Sequence, residues 1–247
     1  MMRDTQKQGA EGEEGITGNP VYCALDTTNA AQAAELAKSL HGKIGGVKLG
    51  MEFFYACGAD GYRHVAGLDM PVFLDLKLHD IPNTVAAAVR ALCPLKPQIL
   101  NVHAGGGLAM MQAAANAALE FGAAAPLMIG VTILTSLEAA DLHAMGISGT
   151  PQEQVLRLAD LAQQAGLGGV VCSAHETAAL RSHCGPDFKL IVPGIRPAQS
   201  DTHDQKRVMT PQAARAAGAD ILVIGRAITG AADPSQAAAD IQAGLAG

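Results

Sequence analysis

The stretch VFLDLKLHDIPN, residues 72–83, contains the pattern from which the architecture follows. Its first six residues, 72–77, are apolar or β-branched except for Asp75 and Lys77. A strand of a parallel sheet is buried on both faces and therefore reads as a nearly continuous apolar run. An Ala-rich stretch with helical spacing follows at 83–92. The segment therefore predicts a buried strand that ends in charged side chains and leads into a helix.

Seven further runs of this kind occur along the chain. With the run at 72–77 they predict eight strands, which alternate with helical stretches. Such strands pair in parallel through crossover connections. Eight units in 247 residues predict a single-domain α/β fold, a closed (β/α)8 TIM barrel. The alternative is a doubly wound open sheet, but Asp26-Thr27-Thr28-Asn29 stands where its GxGxxG fingerprint would be. The predicted strands are 21–26, 44–49, 72–77, 99–103, 127–132, 169–173, 189–193 and 221–225, and the helical stretches include 29–40, 83–92, 108–121, 151–165, 175–183, 211–217 and 234–245.

Composition narrows the class of function. The formal charge of −6 argues against a general nucleic-acid binder, because such a protein needs a basic face. No apolar run approaches the roughly 20 residues that a membrane span needs. The first 19 residues are polar and lack the apolar core of a secretory signal. We therefore expect residues 1–19 to be a flexible arm and residues 20–247 to form the barrel domain.

The cysteines are five in number and scattered, and no CxxC pair occurs among them. Together with the polar N-terminus, this pattern predicts reduced thiols in a cytoplasmic protein. The histidines are scattered too, so we expect no structural metal site.

Polar residues lie at or just after the ends of the predicted strands. In a barrel, the carboxyl ends of all strands meet at one rim, where the active sites of this fold are found. The pattern therefore predicts a site at that rim. The residues concerned are Asp26, Lys48, Asp75, Lys77, His103, Thr135, Ser136, Pro193, Gly194, Arg196, Gly225 and Arg226.

The densest cluster is Asp75, Lys77, His79 and Asp80, within six residues. Side chains two apart on a strand share a face, so Asp75 and Lys77 point the same way. A Lys held between two carboxylates stays protonated, which suits proton donation or anion stabilisation better than attack as a neutral amine. The alternative for Asp75 and Lys77 is a salt bridge at the rim. That alternative leaves the second carboxylate and the His unexplained.

Two loops predict a phosphate site. Pro193-Gly194-Ile195-Arg196 follows the seventh predicted strand, and Gly225-Arg226 follows the eighth. Glycine lets backbone N–H groups approach an anion, and Arg adds a bidentate contact. Ordinary turn chemistry explains either loop alone. Both together, each with an Arg, favour a phosphorylated ligand.

The remaining rim residues have alternative roles. Asp26 and Lys48 are candidates to bond sugar hydroxyls, although Asp26 could instead cap the following helix. Thr135 and Ser136 are candidates to bond a ligand amide, although Ser136 could cap a helix near residue 137. For His103 we favour a structural role at the rim.

At this point the segment 73–84 closely resembles the signature of the orotidine 5′-phosphate decarboxylase family. The matching segments occur in the same order from about residue 20 to the end of the chain. Their layout is similar to that of the compact bacterial form of the enzyme. Its other matching segments are 24–26, 47–50, 101–104, 134–136, 192–196, 204–205 and 223–226.

The resemblance implies a cofactor-free homodimer that converts orotidine 5′-phosphate (OMP) to uridine 5′-phosphate (UMP) and CO₂, the last step of de novo UMP synthesis. By motif match, the charged array beside C6 of the pyrimidine is Asp75, Lys77 and Asp80, with Lys77 as proton donor. It implies a further set of binding residues: Asp80, Ile81 and Thr84 in the partner's site, Asp26 and Lys48 on the ribose, Thr135 and Ser136 on the pyrimidine, and Gln205, Gly225 and Arg226 on the phosphate, with Pro193 and Arg196 nearby.

Two alternative functions stand beside this interpretation, and one further hypothesis concerns a lid. A sugar-phosphate decarboxylase or aldolase on a related barrel would carry a similar array and use a divalent metal. A catalytically silent nucleotide-binding barrel would be expected to lack part of the array, and all of it is present. The polar stretch 196–205 has the length of a lid that orders on phosphate.

Overall fold

The computed structural model describes residues 18–197 and 209–246. Its eight strands are all parallel and close into a barrel in chain order, which confirms the predicted TIM barrel. Two predicted strands, 99–103 and 189–193, match the observed bounds at both ends. The strands are β1 Val21–Ala24, β2 Gly46–Gly50, β3 Val72–Leu78, β4 Ile99–His103, β5 Leu127–Val131, β6 Gly169–Val171, β7 Lys189–Pro193 and β8 Ile221–Ile224.

Helices follow the strands around the outside of the barrel. All seven predicted helical stretches contain helices, whereas the predicted set lacks the helices Met51–Ala66, Ala139–Ala144 and Arg226–Thr229. The first of these is hard to recognise in the sequence because Gly58, with a φ of 61°, kinks it and interrupts the helical spacing. The helices are α1 Ala30–Leu40, α2 Met51–Ala66, α3 Pro82–Leu92, α4 Leu108–Leu119, α5 Ala139–Ala144, α6 Pro151–Gln164, α7 Thr177–Cys184, α8 Pro211–Ala216, α9 Arg226–Thr229 and α10 Pro234–Ala246.

The core has two layers because successive side chains of a strand point to opposite faces. One set packs inside the barrel and includes Tyr22, Phe73 and Ile99. The other set packs between the strands and the helices. Tyr22 fits inside because Gly46 has no side chain, since a Cβ there would lie 2.5 Å from the Tyr22 ring. The filled interior leaves the carboxyl rim as the place where polar side chains can gather.

The ends of the described segments bear on two sequence predictions. Asn19 ties the chain to the barrel: its amide donates to the carbonyl of Lys43, and its Oδ1 accepts from the N–H of Val21. Residues 1–17 of the predicted arm lie outside the described residues, as does most of the predicted lid at 196–205. Within the described part of the chain, no helix combines the length and apolar character that crossing a bilayer requires.

Candidate active site

A cavity of about 300 Å³ opens at the carboxyl rim of the barrel. It is lined by residues from the ends of seven of the eight strands and from the loops that follow them. Its lower wall is apolar, formed by side chains such as Phe73, Val131 and Val223. Ten predicted site residues line the cavity: Asp26, Lys48, Asp75, Lys77, Thr135, Pro193, Gly194, Arg196, Gly225 and Arg226.

The Asp75 carboxylate is the centre of the charged wall. The Lys77 ammonium lies 2.7 Å from Asp75 Oδ1, and the Lys48 ammonium lies 3.4 Å from Asp75 Oδ2. Lys48 also faces Asp26 Oδ1 at 3.6 Å. Asp75, Lys77 and Lys48 are mostly buried, so solvent screens their charges less than it screens surface pairs. Together these residues form a chain of alternating charge: Asp26, Lys48, Asp75, Lys77.

Opposing influences set the pKa of Asp75. Burial alone would raise it. The Lys48 and Lys77 ammonium groups, helped by hydrogen bonds from Lys77 and Asn101, outweigh burial and hold the pKa of Asp75 below its ordinary value. The carboxylate is therefore charged at neutral pH.

Asp80 departs from the arrangement argued from spacing. The spacing argument placed Lys77 between Asp75 and Asp80, but Asp80 makes no ion pair with Lys77 among the described residues. Its Oδ1 instead accepts from the N–H of Ile81 at 2.7 Å. Asp80, Ile81 and Thr84 are exposed and do not line the cavity of their own chain. Within the chain, it is Asp75 that lies between two opposite charges.

The predicted phosphate loops lie together on the wall formed by β7 and β8. Pro193, Arg196, Gly225 and Arg226 all line the cavity there. The backbone N–H of Arg196 donates to the carbonyl of Met209 at 3.1 Å, and the Arg196 side chain is buried. Gln205 lies outside the described residues.

The two capping alternatives are wrong. Asn29 caps α1, with Oδ1 accepting from the N–H groups of Ala31 and Gln32, which leaves Asp26 to pair with Lys48. Glu138 caps α5 through a capping box with Asp141.

Thr135 lines the cavity and Ser136 does not. The structure therefore brings Thr135 to the site and leaves its neighbour in the sequence outside it. Both side chains are exposed.

His103 has the structural role that we favoured. Its Nδ1 accepts from the N–H of Gly105 at 3.1 Å, and its ring stacks on His79 with centroids 5.1 Å apart. Neither ring lines the cavity. In the part of the chain that is described, no three His, Cys, Asp or Glu side chains are grouped as a metal ion would require.

Asn101 is the polar residue that sequence reasoning missed. It lies on β4, is fully buried, and its Nδ2 donates to Asp75 Oδ1 at 2.7 Å. The available signal was an amide inside the otherwise apolar strand ILNVH, at a position that shares the inward face with Ile99.

The sequence and fold can be compared with those of known proteins. A sequence model described as "Orotidine 5'-phosphate decarboxylase / HUMPS family" matches residues 19–241. The orotidine 5'-phosphate decarboxylase of Rhodospirillum rubrum is 57% identical over 229 residues, which cover 90% of this chain and 92% of the relative. That of Paramagnetospirillum magneticum is 54% identical over 231 residues, which cover 92% and 98%.

A solved structure agrees with these matches. The crystal structure of orotidine 5'-phosphate decarboxylase from Lactobacillus acidophilus superposes with a TM-score of 0.82 at 35% identity, over 93% of this chain and 100% of that one. The match therefore extends over the whole barrel and includes every strand that contributes to the cavity. On this fold, this site and these relatives, the chain belongs to the orotidine 5′-phosphate decarboxylase / HUMPS family.

Proposed function

We propose that this enzyme, a carboxy-lyase of pyrimidine biosynthesis, converts OMP to UMP and CO₂, and that Lys77 protonates C6. The observation that carries the proposal is the Lys77 ammonium, held 2.7 Å from Asp75 in the rim cavity. The relatives that are more than half identical to this chain bear the name of this decarboxylase.

The chemistry needs a fixed ammonium group beside the reacting carbon. When the C6–carboxylate bond breaks, CO₂ leaves and the electron pair stays on C6, where the ring delocalises it poorly. A cation already in place stabilises that pair without reorganising. Lys77 Nζ then gives a proton to C6, and solvent restores the proton on the amine. The Asp75 carboxylate, 2.7 Å from Lys77 Nζ, holds the ammonium group in place before the reaction begins.

The walls of the cavity match the parts of the substrate. Asp26 and Lys48, with Asp75, would bond the ribose hydroxyls beside the charged wall. Thr135 would meet the pyrimidine from the loop after β5, and Ser136 is the second residue of that loop implied by the motif. Phosphate would lie on the β7–β8 wall. Its residues are Pro193, Arg196, Gln205, Gly225 and Arg226.

The proposed phosphate wall follows β7 and β8, whereas Lys77 is on β3, and β1 and β2 lie between β8 and β3 in the barrel. Energy gained by binding phosphate can therefore accelerate the reaction only by aligning the ring and closing the site. We propose that the stretch 196–205 does this as a lid, which proteolysis with and without nucleotide would test. Equal cleavage in both conditions would contradict the lid.

We propose a homodimer in which Asp80, Ile81 and Thr84 enter the partner's site. In support, all three are exposed, and Ile81 is 67% exposed although it is apolar. Met51 and Tyr55 on α2 are exposed apolar side chains that follow the neighbouring strand, so this side of the rim offers an apolar surface. The partner's Asp80 would supply a second carboxylate for Lys77, which pairs with Asp75 alone among the described residues.

The reaction as written needs no cofactor, because Lys77 supplies the proton and the electron pair stays on the ring. We further propose that the enzyme works in the cytoplasm, where its five free cysteines stay reduced.

The main alternative is a metal-dependent sugar-phosphate decarboxylase or aldolase. The test is the loss of OMP absorbance with purified enzyme in EDTA. We expect rapid loss of substrate absorbance that added Mg²⁺ does not increase. No turnover of OMP by folded enzyme, together with Mg²⁺-dependent turnover of a sugar phosphate, would replace the proposal with the alternative.

A further inference from the structure

The strand that carries Lys77 is irregular at that residue. On β3, Leu74 pairs with Leu100 and Leu78 pairs with Val102, so four residues of β3 span what two residues of β4 span. Lys77 itself has a φ of 51°, a left-handed conformation that non-glycine residues adopt rarely. The backbone N–H of Lys77 is therefore turned away from the regular ladder and needs another acceptor.

Asn101 supplies that acceptor from the facing strand. Its Oδ1 accepts from the Lys77 N–H at 2.8 Å, and its Nδ2 donates to Asp75 Oδ1 at 2.7 Å. The orientation of the amide is fixed, because a backbone N–H can only donate and a charged carboxylate can only accept. Asn101 is fully buried, and its hydrogen bond to Asp75 is buried with it.

These contacts close a ring. Asn101 bonds the Asp75 carboxylate, the carboxylate pairs with the Lys77 ammonium at 2.7 Å, and the Lys77 backbone bonds back to Asn101. Because Asn101 and Lys77 both donate to Oδ1, the carboxylate is held in one rotation, which leaves Oδ2 to face Lys48. The Asn101 amide thus constrains both the backbone of Lys77 and the Asp75 carboxylate that pairs with the Lys77 ammonium group.

We propose that Asn101 is a positioning residue for the reaction, which holds the Lys77 ammonium and the Asp75 carboxylate in the geometry that proton delivery requires. The inference rests on the proposed function. Asn101 does not line the cavity, so it acts through Asp75 and Lys77 rather than on the substrate.

The decisive variant is Asn101→Asp, which keeps the shape and the acceptor for the Lys77 N–H. Its new carboxyl group would face Asp75 at hydrogen-bond distance. Two buried carboxyl groups at that distance share a proton, so one of them titrates at a raised pKa. While the proton is shared, the new carboxyl group can still donate to Asp75. Once the proton is lost, the two charges repel and Lys77 loses its fixed partner.

We therefore expect kcat of Asn101→Asp to fall as pH rises, with a titration that wild type lacks, and to recover when pH is lowered again. Asn101→Ala should lose at least about 10-fold in kcat at every pH, with KM changed much less, because the residues that bind phosphate are untouched. Thr132→Val is the matched control: Thr132 is fully buried directly after β5, and its hydroxyl donates to the Val171 carbonyl rather than to Asp75, Lys77 or Asn101. It should keep wild-type kcat and pH dependence.

The concentration of folded protein in each variant is determined by circular dichroism and size-exclusion chromatography, and kcat is calculated from that concentration. If Asn101→Ala does not fold, Asn101→Asp decides alone. Wild-type kcat and an unchanged pH profile in folded Asn101→Asp would overturn the inference while leaving the proposed function intact. A wild-type enzyme that does not turn over OMP would overturn both.

Discussion

Asp75 is the residue through which the charges of the site are coupled. Its two oxygens face different ammonium groups, Lys77 through Oδ1 and Lys48 through Oδ2. Burial alone would raise its pKa, and the two cations, with hydrogen bonds from Lys77 and Asn101, hold that pKa below its ordinary value. We therefore expect the charge state of Asp75 to depend on Lys48 as well as on Lys77.

Replacing Lys48 by Met keeps most of the side-chain volume and removes one of these cations. We expect the pKa of Asp75 to rise, so the acid limb of the pH profile of kcat should move to higher pH. In wild type, the lowered pKa means that the stability contributed by Asp75 is present above its unfolded value, near 3.9, and is lost only as pH falls through the folded value. Lys38→Met, on the exposed face of α1, is the control. An unshifted acid limb in Lys48→Met would contradict this coupling.

At the scale of elements, helix α6 shows how local sequence signals stabilise the scaffold. Thr150 Oγ1 accepts from the Glu153 N–H at 3.2 Å, and Glu153 Oε2 accepts from the Thr150 N–H at 2.7 Å. This reciprocal capping box satisfies two N–H groups that the start of a helix leaves unpaired. Pro151 at the first helical position adds a fixed φ.

Thr150→Ala should lower the free energy of unfolding by about 1 kcal/mol, because the cap to the Glu153 N–H is lost. Urea unfolding followed by circular dichroism measures the change. Thr150→Ser keeps the hydroxyl and should stay close to wild type. Since Thr150 does not line the cavity, kcat should be unaffected in both variants. Equal stability of the Ala variant and wild type would show that the cap contributes nothing.

Which elements could be predicted follows from where their signals lie. β4 and β7 were predicted at both ends because each is an apolar run bounded by loop residues. The bulge in β3 could not be predicted, because it arises from pairing with β4 and leaves no mark in the run itself. Asn101 is visible in the sequence as an amide within an apolar run, but its role is not. Its importance depends on a backbone turn in a different strand.

At the scale of the whole molecule, the question is which active site the second carboxylate of the array, Asp80, serves. The sequence places Asp80 three residues after Lys77, and spacing alone cannot say which chain it serves. In the described chain, Asp80 is exposed and makes no ion pair with Lys77. The proposed dimer resolves this by giving Asp80 to the partner's site.

Mixed dimers test that arrangement. Lys77→Ala and Asp80→Ala should each be nearly inactive alone. After co-refolding or subunit exchange, half of the dimers are hybrids, and each hybrid holds one site with both Lys77 and Asp80 intact. About one quarter of wild-type activity should therefore return at random mixing. No recovery, with hybrids shown to form by mass spectrometry, would mean that Asp80 serves its own chain, whereas full activity of Asp80→Ala alone would mean that it has no role.

The most direct test of the central claim is the rate of OMP decarboxylation by Lys77→Ala, measured in EDTA from the loss of substrate absorbance. The control is Lys38→Ala, and UMP binding by calorimetry confirms an intact site. If Lys77 donates the proton to C6, its removal should lower kcat by at least about 100-fold, as loss of a general acid does, while Lys38→Ala matches wild type. Turnover near the wild-type rate by folded, UMP-binding Lys77→Ala would contradict the role of Lys77 as proton donor.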